Sequence, residues 1–245
     1  MMYLYALIDR PEPPVLHQQG LEEADLLHCA DQGIAAVVSP FAGSRVQPSE
    51  DNLWRHEQVV EALMVECTVL PVRFGTVLAD RATVQAALAT HYSDWMASLD
   101  RVRGRAELSV RVLWDGDDEP PLAPFAHDGQ SHPKSGRSYL MARLEQERQA
   151  RLRQQKAEKV AAELHTTLAH HAADSIYQVL ITPRMLLTAA YLVERTQMTA
   201  FQHELEALRV AHPALRFLCT GPWPPYNFVT AGTMLKGKEE QDVHF

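Results

Sequence analysis

Histidines, carboxylates and one thiol have spacings in this chain that invite a chemical reading. His56 and Glu57 are neighbours in a stretch with helical periodicity, and Glu61 follows one turn later. Adjacent helix residues point in different directions, so His56 and Glu57 alone make no acid–base dyad. Glu57 and Glu61, at i and i+4, share a face. Two carboxylates that close can raise one pKa. The alternatives are a solvated face or an ion pair with an arginine, and Arg73 is the candidate. His165, His170, His171 and Asp174 gather near the end of a second helical stretch, while His127 and His132 fall in an irregular one. A metal site needs convergent ligands held by fixed outer partners. His165 and His170 are five residues apart, which takes them off a common face, so histidines favoured by a helix C-terminus are the simpler reading. Nothing in the sequence around Cys67 lowers its pKa, and a buried, inert thiol is expected. The chain has no P-loop, no Gly-rich dinucleotide turn, no G-x-S-x-G elbow and no H-E-x-x-H. This search yields no catalytic residue, no cofactor site and no metal site. It points to a binding protein rather than an enzyme.

The elements that must position these residues follow from periodicity. Met2–Asp9 reads as a first strand, stopped by Pro11, Pro13 and Pro14. Ala24–Cys29 and Ile34–Ser39 are short apolar runs joined at Asp31-Gln32-Gly33, which suits a hairpin. Ser49 can cap a helix whose first turn holds Glu50 and Asp51. Leu53, Val60, Leu63, Met64 and Cys67 give that helix its expected buried stripe. Val69–Phe74 reads as a strand ended by Gly75. Asp80 can cap a helix with the stripe Val84, Leu88, Tyr92, Trp95, Leu99 and Val102, closed by Gly104. These elements define an N-terminal mixed α+β domain over residues 1–104.

From Glu107 the pattern changes to strand alternation through Leu108, Val110, Val112 and Trp114. Residues 115–137 are rich in Asp, Pro, Gly and His and are expected to form a mobile loop. A helix from about Ser138 to His171 keeps Leu140, Leu144, Leu152, Val160, Leu164 and Leu168 on a face interrupted by Arg148, Arg151 and Gln155. At ~1.5 Å per residue it spans about 50 Å, more than a small sheet covers. Its polar middle therefore bends, projects into solvent or meets a partner. Ile176–Ile181 and Leu186–Val193 read as strands, Phe201, Leu205 and Leu208 as a helix stopped by Pro213, and Leu215–Cys219 as a last strand. The order β-α-β-β-α-β is the ferredoxin-like arrangement. The expected fold is α+β in two domains, 1–104 and 105–245, with a tail over 221–245.

Bulk properties limit the function classes. With 46% hydrophobic and 22% charged residues the chain can build ordinary cores. A net charge of −8 disfavours nucleic acid and anionic lipid as partners. No run approaches the ~20 apolar residues of a membrane helix, so no membrane insertion is expected. Three widely spaced cysteines form no disulfide framework, and the cytoplasm is the simplest location.

Two segments are more particular than generic elements. Leu70-Pro71-Val72-Arg73-Phe74-Gly75-Thr76 follows the helix of His56-Glu57, and Gly221-Pro222-Trp223-Pro224-Pro225-Tyr226-Asn227-Phe228-Val229 follows the last strand. With Gly136-Arg137-Ser138-Tyr139-Leu140 and the apolar start, the chain resembles the gas vesicle protein L/F family (GvpL/GvpF) nearly end to end. The resemblance implies a non-enzymatic accessory or minor structural protein of gas vesicle formation. It implies contacts with the hydrophobic shell protein and other accessory proteins, two α+β domains and an association with gas vesicles.

The motif residues have physical readings of their own. Arg73 on a short strand beside apolar neighbours needs a carboxylate, Glu57 or Glu61, or serves a partner together with Phe74. The prolines of the second segment favour a stiff, extended chain that loses little entropy on binding. Trp223, Tyr226 and Phe228 have hot-spot composition. The segment either binds a partner or folds back as a staple. Shielding of an aggregation-prone shell subunit is one function that fits. A structural component of the finished vesicle is another, and a ferredoxin-like small-molecule-binding protein or enzyme is the alternative from a different class.

Overall fold

The computed structural model describes residues 1–114, 136–180 and 185–229. The chain divides into two compact units, Met1–Glu107 with the chain from Pro222, and Leu108–Gly221. The first unit runs a few residues past Gly104. It also takes in the described chain after Pro222, which the sequence reading grouped with the second domain.

The first unit is built on a sheet of order β2-β3-β1-β4, with β5 also paired to β1. Its strands are β1 (Met2–Ile8), β2 (Leu27–Asp31), β3 (Ile34–Pro40), β4 (Val69–Pro71) and β5 (Val77–Leu78), antiparallel to their neighbours. Residues 3–8 and 34–39 are all buried, as strands covered on both faces must be. A β-bulge breaks the β1–β3 register between Leu4 and Ala6. The extra residue shifts alternation by one, so Tyr3, Tyr5, Ala6 and Ile8 share one core cluster. That cluster packs under α1 (Glu50–Glu66) through Val59, Val60 and Leu63. Leu4, Leu7 and Ala36 meet Val84, Leu88 and Trp95 on the other face. Those residues come from α2 (Arg81–Thr90) and α3 (Tyr92–Val102).

The Ser49 and Asp80 caps form as expected, with Ser49 Oγ accepting from Asn52 N and Asp80 Oδ1 from Thr83 N. Gly104 takes the left-handed φ of 70° that a helix-ending glycine accommodates. Three expectations are corrected. The buried stripe of α1 is His56, Val59, Val60 and Leu63, while Leu53 is exposed. The helix expected over 81–102 kinks at His91, although His91 N donates to Ala87 O and Trp95 N to His91 O. The strand expected over 69–74 stops at Pro71, because Thr76 N bonds Arg73 O in a turn at Gly75, whose φ is 88°.

The second unit has a sheet of order β7-β8-β6-β9. Its strands are β6 (Arg105–Trp114), β7 (Asp174–Val179), β8 (Met185–Glu194) and β9 (Leu215–Trp223), with β7 and β8 antiparallel. α4 (Gly136–Ala169) and α5 (Met198–Ala211) supply Ala157, Ala161, Leu164, Leu168, Phe201, Leu205 and Leu208 to one core with Leu108, Val110, Val112, Tyr191 and Phe217. Among the described side chains of α4, those that pack this way belong to its second half. Leu140, Leu144 and Leu152, expected on its buried face, are exposed. At about 100° per residue they fall on a different side from Ala157–Leu168. The expected loop over 115–137 lies mostly outside the described residues.

Candidate functional site

The most elaborate polar arrangement in the first unit centres on His56. The Ser49 cap fixes the start of α1, and this phase turns His56 to the sheet beside Val59, Val60 and Leu63. The bulge in β1 turns Tyr3 and Tyr5 to the same layer. His56 is then enclosed by rings. Tyr5 stacks on it at 5.6 Å, and Tyr3 and Phe74 meet it edge-on at 5.7 and 5.8 Å.

The hydrogen bonds form a directed chain. Gly75 N donates to Tyr3 Oη at 3.3 Å, and Tyr3 Oη lies 2.8 Å from His56 Nδ1. Tyr226 gives its one proton to Glu57 and so accepts from His56 Nε2–H, which leaves Nδ1 to accept from Tyr3. Nε2 donates to Tyr226 Oη at 3.2 Å, and Tyr226 donates to Glu57 Oε1 at 3.1 Å. Beside this chain, Tyr5 Oη pairs with Ser39 Oγ at 2.9 Å and accepts from Leu21 N at 2.7 Å. Glu107 accepts from Asn227 N at 2.9 Å and from Asn227 Nδ2 at 2.6 Å.

Burial pushes the His56 pKa down to about 4, so the ring is neutral near pH 7. Burial raises Glu57, which the Tyr226 bond counteracts and the nearby Glu61 reinforces. Burial likewise raises Glu107 against the two Asn227 bonds. The Tyr3 and Tyr226 phenols are pushed up, chiefly by burial. The hydroxyls of Tyr3 and Tyr226 and both His56 nitrogens have partners within the cluster. The arrangement therefore anchors a segment. It presents no activated nucleophile.

The sequence-derived site residues fall into two groups. Tyr226 and Phe228 are tied down: Tyr226 bonds His56 and Glu57, and Phe228 is buried in a 3-10 turn entered from Pro224-Pro225. Phe74 is half-buried against the core. Arg73 and Trp223 are exposed. Of the segment expected to be stiff and extended, Gly221–Trp223 are the end of β9, with Gly221 at φ 121°, and Tyr226–Phe228 close into a 3-10 turn. Arg73 forms no ion pair with a described residue, and Tyr226 takes the place foreseen for it on Glu57. Periodicity gives His56 no place in the core and gives Tyr3, Glu107 and Asn227 no partners. One signal was available, because a tyrosine in an apolar strand needs a partner for its hydroxyl.

The other chemical candidates are absorbed into packing. His165 stacks on Tyr177 at 3.9 Å and its Nδ1 lies 3.2 Å from Tyr191 Oη. Burial raises the Cys67 thiol to about 11, and its Sγ donates to Leu63 O. Among the described residues no group of His, Cys, Asp and Glu could hold a metal ion. No helix among them is long and apolar enough to cross a membrane.

The two signature segments therefore meet at one histidine, through Phe74 and Tyr226. The family described as gas vesicle synthesis protein GvpL/GvpF matches residues 1–230. The chain belongs to this family. Gas vesicle protein L of Streptomyces sp. (strain CB03234) is 30% identical, covering 100% of this chain and 96% of that protein. Gas vesicle protein F1 of Halobacterium salinarum is 23% identical, covering 93% of this chain and 92% of that protein. The crystal structure of GvpF from Anabaena sp. PCC7120 superposes with a TM-score of 0.75 at 23% identity, covering 93% of this chain and 94% of that one. GvpF from Microcystis aeruginosa gives 0.69 at 22%, covering 93% and 98%. These likenesses give a mixed α+β fold with two antiparallel sheets, and family membership gives the chain a gas vesicle-related role.

Proposed function

We propose that this GvpL/GvpF member is an assembly factor or minor structural protein of the gas vesicle that binds the hydrophobic shell protein and fellow accessory proteins. The observation that supports this most is the convergence of the two signature segments on His56. Anchoring through Phe74, Tyr226 and Phe228 holds the neighbouring Arg73 and Trp223 at the surface. Arginine and tryptophan are hot-spot types, and a pre-anchored side chain loses less entropy on binding. Trp223 ends β9, an edge strand in the sheet order. A shell subunit with exposed strands can pair with such an edge. The net charge of −8 helps keep the complex in solution.

We read the chain as two domains, a mixed α+β first unit and a ferredoxin-like second unit. The support is its β-α-β-β-α-β element order and sheet order β7-β8-β6-β9. The small-molecule alternative has one observation on its side, an open cleft of about 540 Å³ lined by Glu12–Gln19, Asp25–His28 and Val37. It lies in the first unit, away from the ferredoxin-like one that motivated the alternative. Co-expression of the shell protein with and without this chain tests the assembly reading. Soluble shell protein rises when the chain is present; equal amounts in both cases reject the reading.

A further inference from the structure

Among the described residues, one face of α1 and one of α4 are exposed, and their chemistry is complementary. On α1, Trp54, Gln58, Glu61 and Val65 lie about 180° from the core face, at about 100° per residue. Trp54 is 62% exposed and Val65 81%. α1 carries Glu50, Asp51, Glu57, Glu61 and Glu66 against Arg55, a net charge of −4. On α4, Met141, Leu144, Arg148 and Leu152 form a stripe roughly 175° from the core-facing residues. Leu144 is 60% exposed and Leu152 56%. Residues 136–156 carry Arg137, Arg143, Arg148, Arg151, Arg153 and Lys156 against Glu145 and Glu147, a net charge of +4. This half-helix is thus a basic, apolar arm on a chain of net charge −8.

The spacings agree as well. Trp54, Glu61 and Val65 repeat the intervals of Met141, Arg148 and Leu152. Laid parallel, the two helices set Trp54 against Met141, Glu61 against Arg148 and Val65 against Leu152. Neither Glu61 nor Arg148 has an ion-pair partner among the described residues. A thioether on an indole ring is itself favourable.

We propose that α4 of one copy docks in parallel on α1 of a second copy. Pairing two α4 arms instead would bring like charges together. The contact covers only about three helical turns, so it belongs to the small, weak class of interfaces and weakens with salt. It is heterologous, so a pair of copies keeps one free arm and one free face, and association extends with concentration. It is independent of shell binding.

Sedimentation velocity of the full chain from micromolar to hundreds of micromolar tests the proposal. The wild type gains mass with concentration and loses it in high salt. Leu152→Asp and Val65→Asp each sediment as monomers with unchanged far-UV circular dichroism. Their equimolar mixture forms a discrete 1:1 complex through the one intact contact. Glu61→Arg and Arg148→Glu each weaken association about tenfold, on the order of 1.4 kcal/mol, and both in one chain restore it. A wild type that stays monomeric overturns the proposal. So do a Val65→Asp variant that associates like the wild type, a mixture that forms no complex, and a charge swap that restores nothing.

Discussion

Replacing Tyr226 with phenylalanine removes one oxygen and keeps the ring. That oxygen accepts from His56 Nε2 at 3.2 Å and donates to Glu57 Oε1 at 3.1 Å. A buried donor left without an acceptor costs about 1–3 kcal/mol. The low end applies to His56, because its 3.2 Å bond is at the long end of the N–H···O range. A bond to a charged group contributes about 1.5–3 kcal/mol, reduced at Glu57 because that residue is partly exposed and water replaces some of the loss. The sum is about 2 kcal/mol, or about 4–8 °C in Tm for a chain of this size. Urea denaturation followed by far-UV circular dichroism reads the stability directly. A cycle with Glu57→Gln isolates the Tyr226–Glu57 bond, with an expected coupling of about 1 kcal/mol. A Tyr226→Phe variant as stable as the wild type refutes the hydrogen-bond reasoning and leaves ring packing as the anchor.

Three further outcomes follow from the same cluster. His56 titrates at about 4 when folded and near the ordinary ~6.5 when unfolded. Its neutral form is matched above pH 6.5. Between about 6.5 and 4 the unfolded state binds the extra proton and stability falls. Glu57 and Glu107, whose folded pKa values are raised, act in the opposite sense as pH rises through them. The difference between wild type and His56→Gln therefore isolates the histidine, and the variant loses less stability across that window in pH-dependent urea melts. Glu107→Gln weakens both bonds to Asn227, costs about 1–2 kcal/mol, and speeds limited proteolysis within residues 222–229. Gly20→Ala costs about 1–3 kcal/mol, because its Cβ would lie 2.4 Å from Tyr5 Oη and break the Tyr5–Ser39 contact; thermal melts check it.

What could be read in the sequence was local. The Ser49 and Asp80 caps, the turn at Asp31-Gln32-Gly33, Gly104 and the stripe Phe201, Leu205 and Leu208 depend on neighbours within a few residues. The site depends on distant ones. Tyr3 and His56 are 53 residues apart, and His56 and Tyr226 are 170 apart. His56 and Glu57 diverge on their helix, so adjacency gave no reason to join them. One tyrosine hydroxyl from the end of the chain does so. The bulge at Tyr5 was equally hidden, because one extra residue in a strand leaves composition unchanged while reversing which side chains face α1. Taking the phase of α1 from Leu53 also obscured His56. Val59, Val60 and Leu63 set the true phase and put the histidine in the core. On α4 the leucines looked like one face because two stripes lie end to end along a single helix.

The most direct test of the central claim is capture of the shell protein by the purified full chain. Wild type is compared with Arg73→Ala/Trp223→Ala, and circular dichroism and melting verify that the variant is folded. Binding by the wild type that is lost in the folded double variant is the predicted result. Equal capture by both would contradict the role given to these two side chains, and no capture by the wild type would contradict shell binding itself.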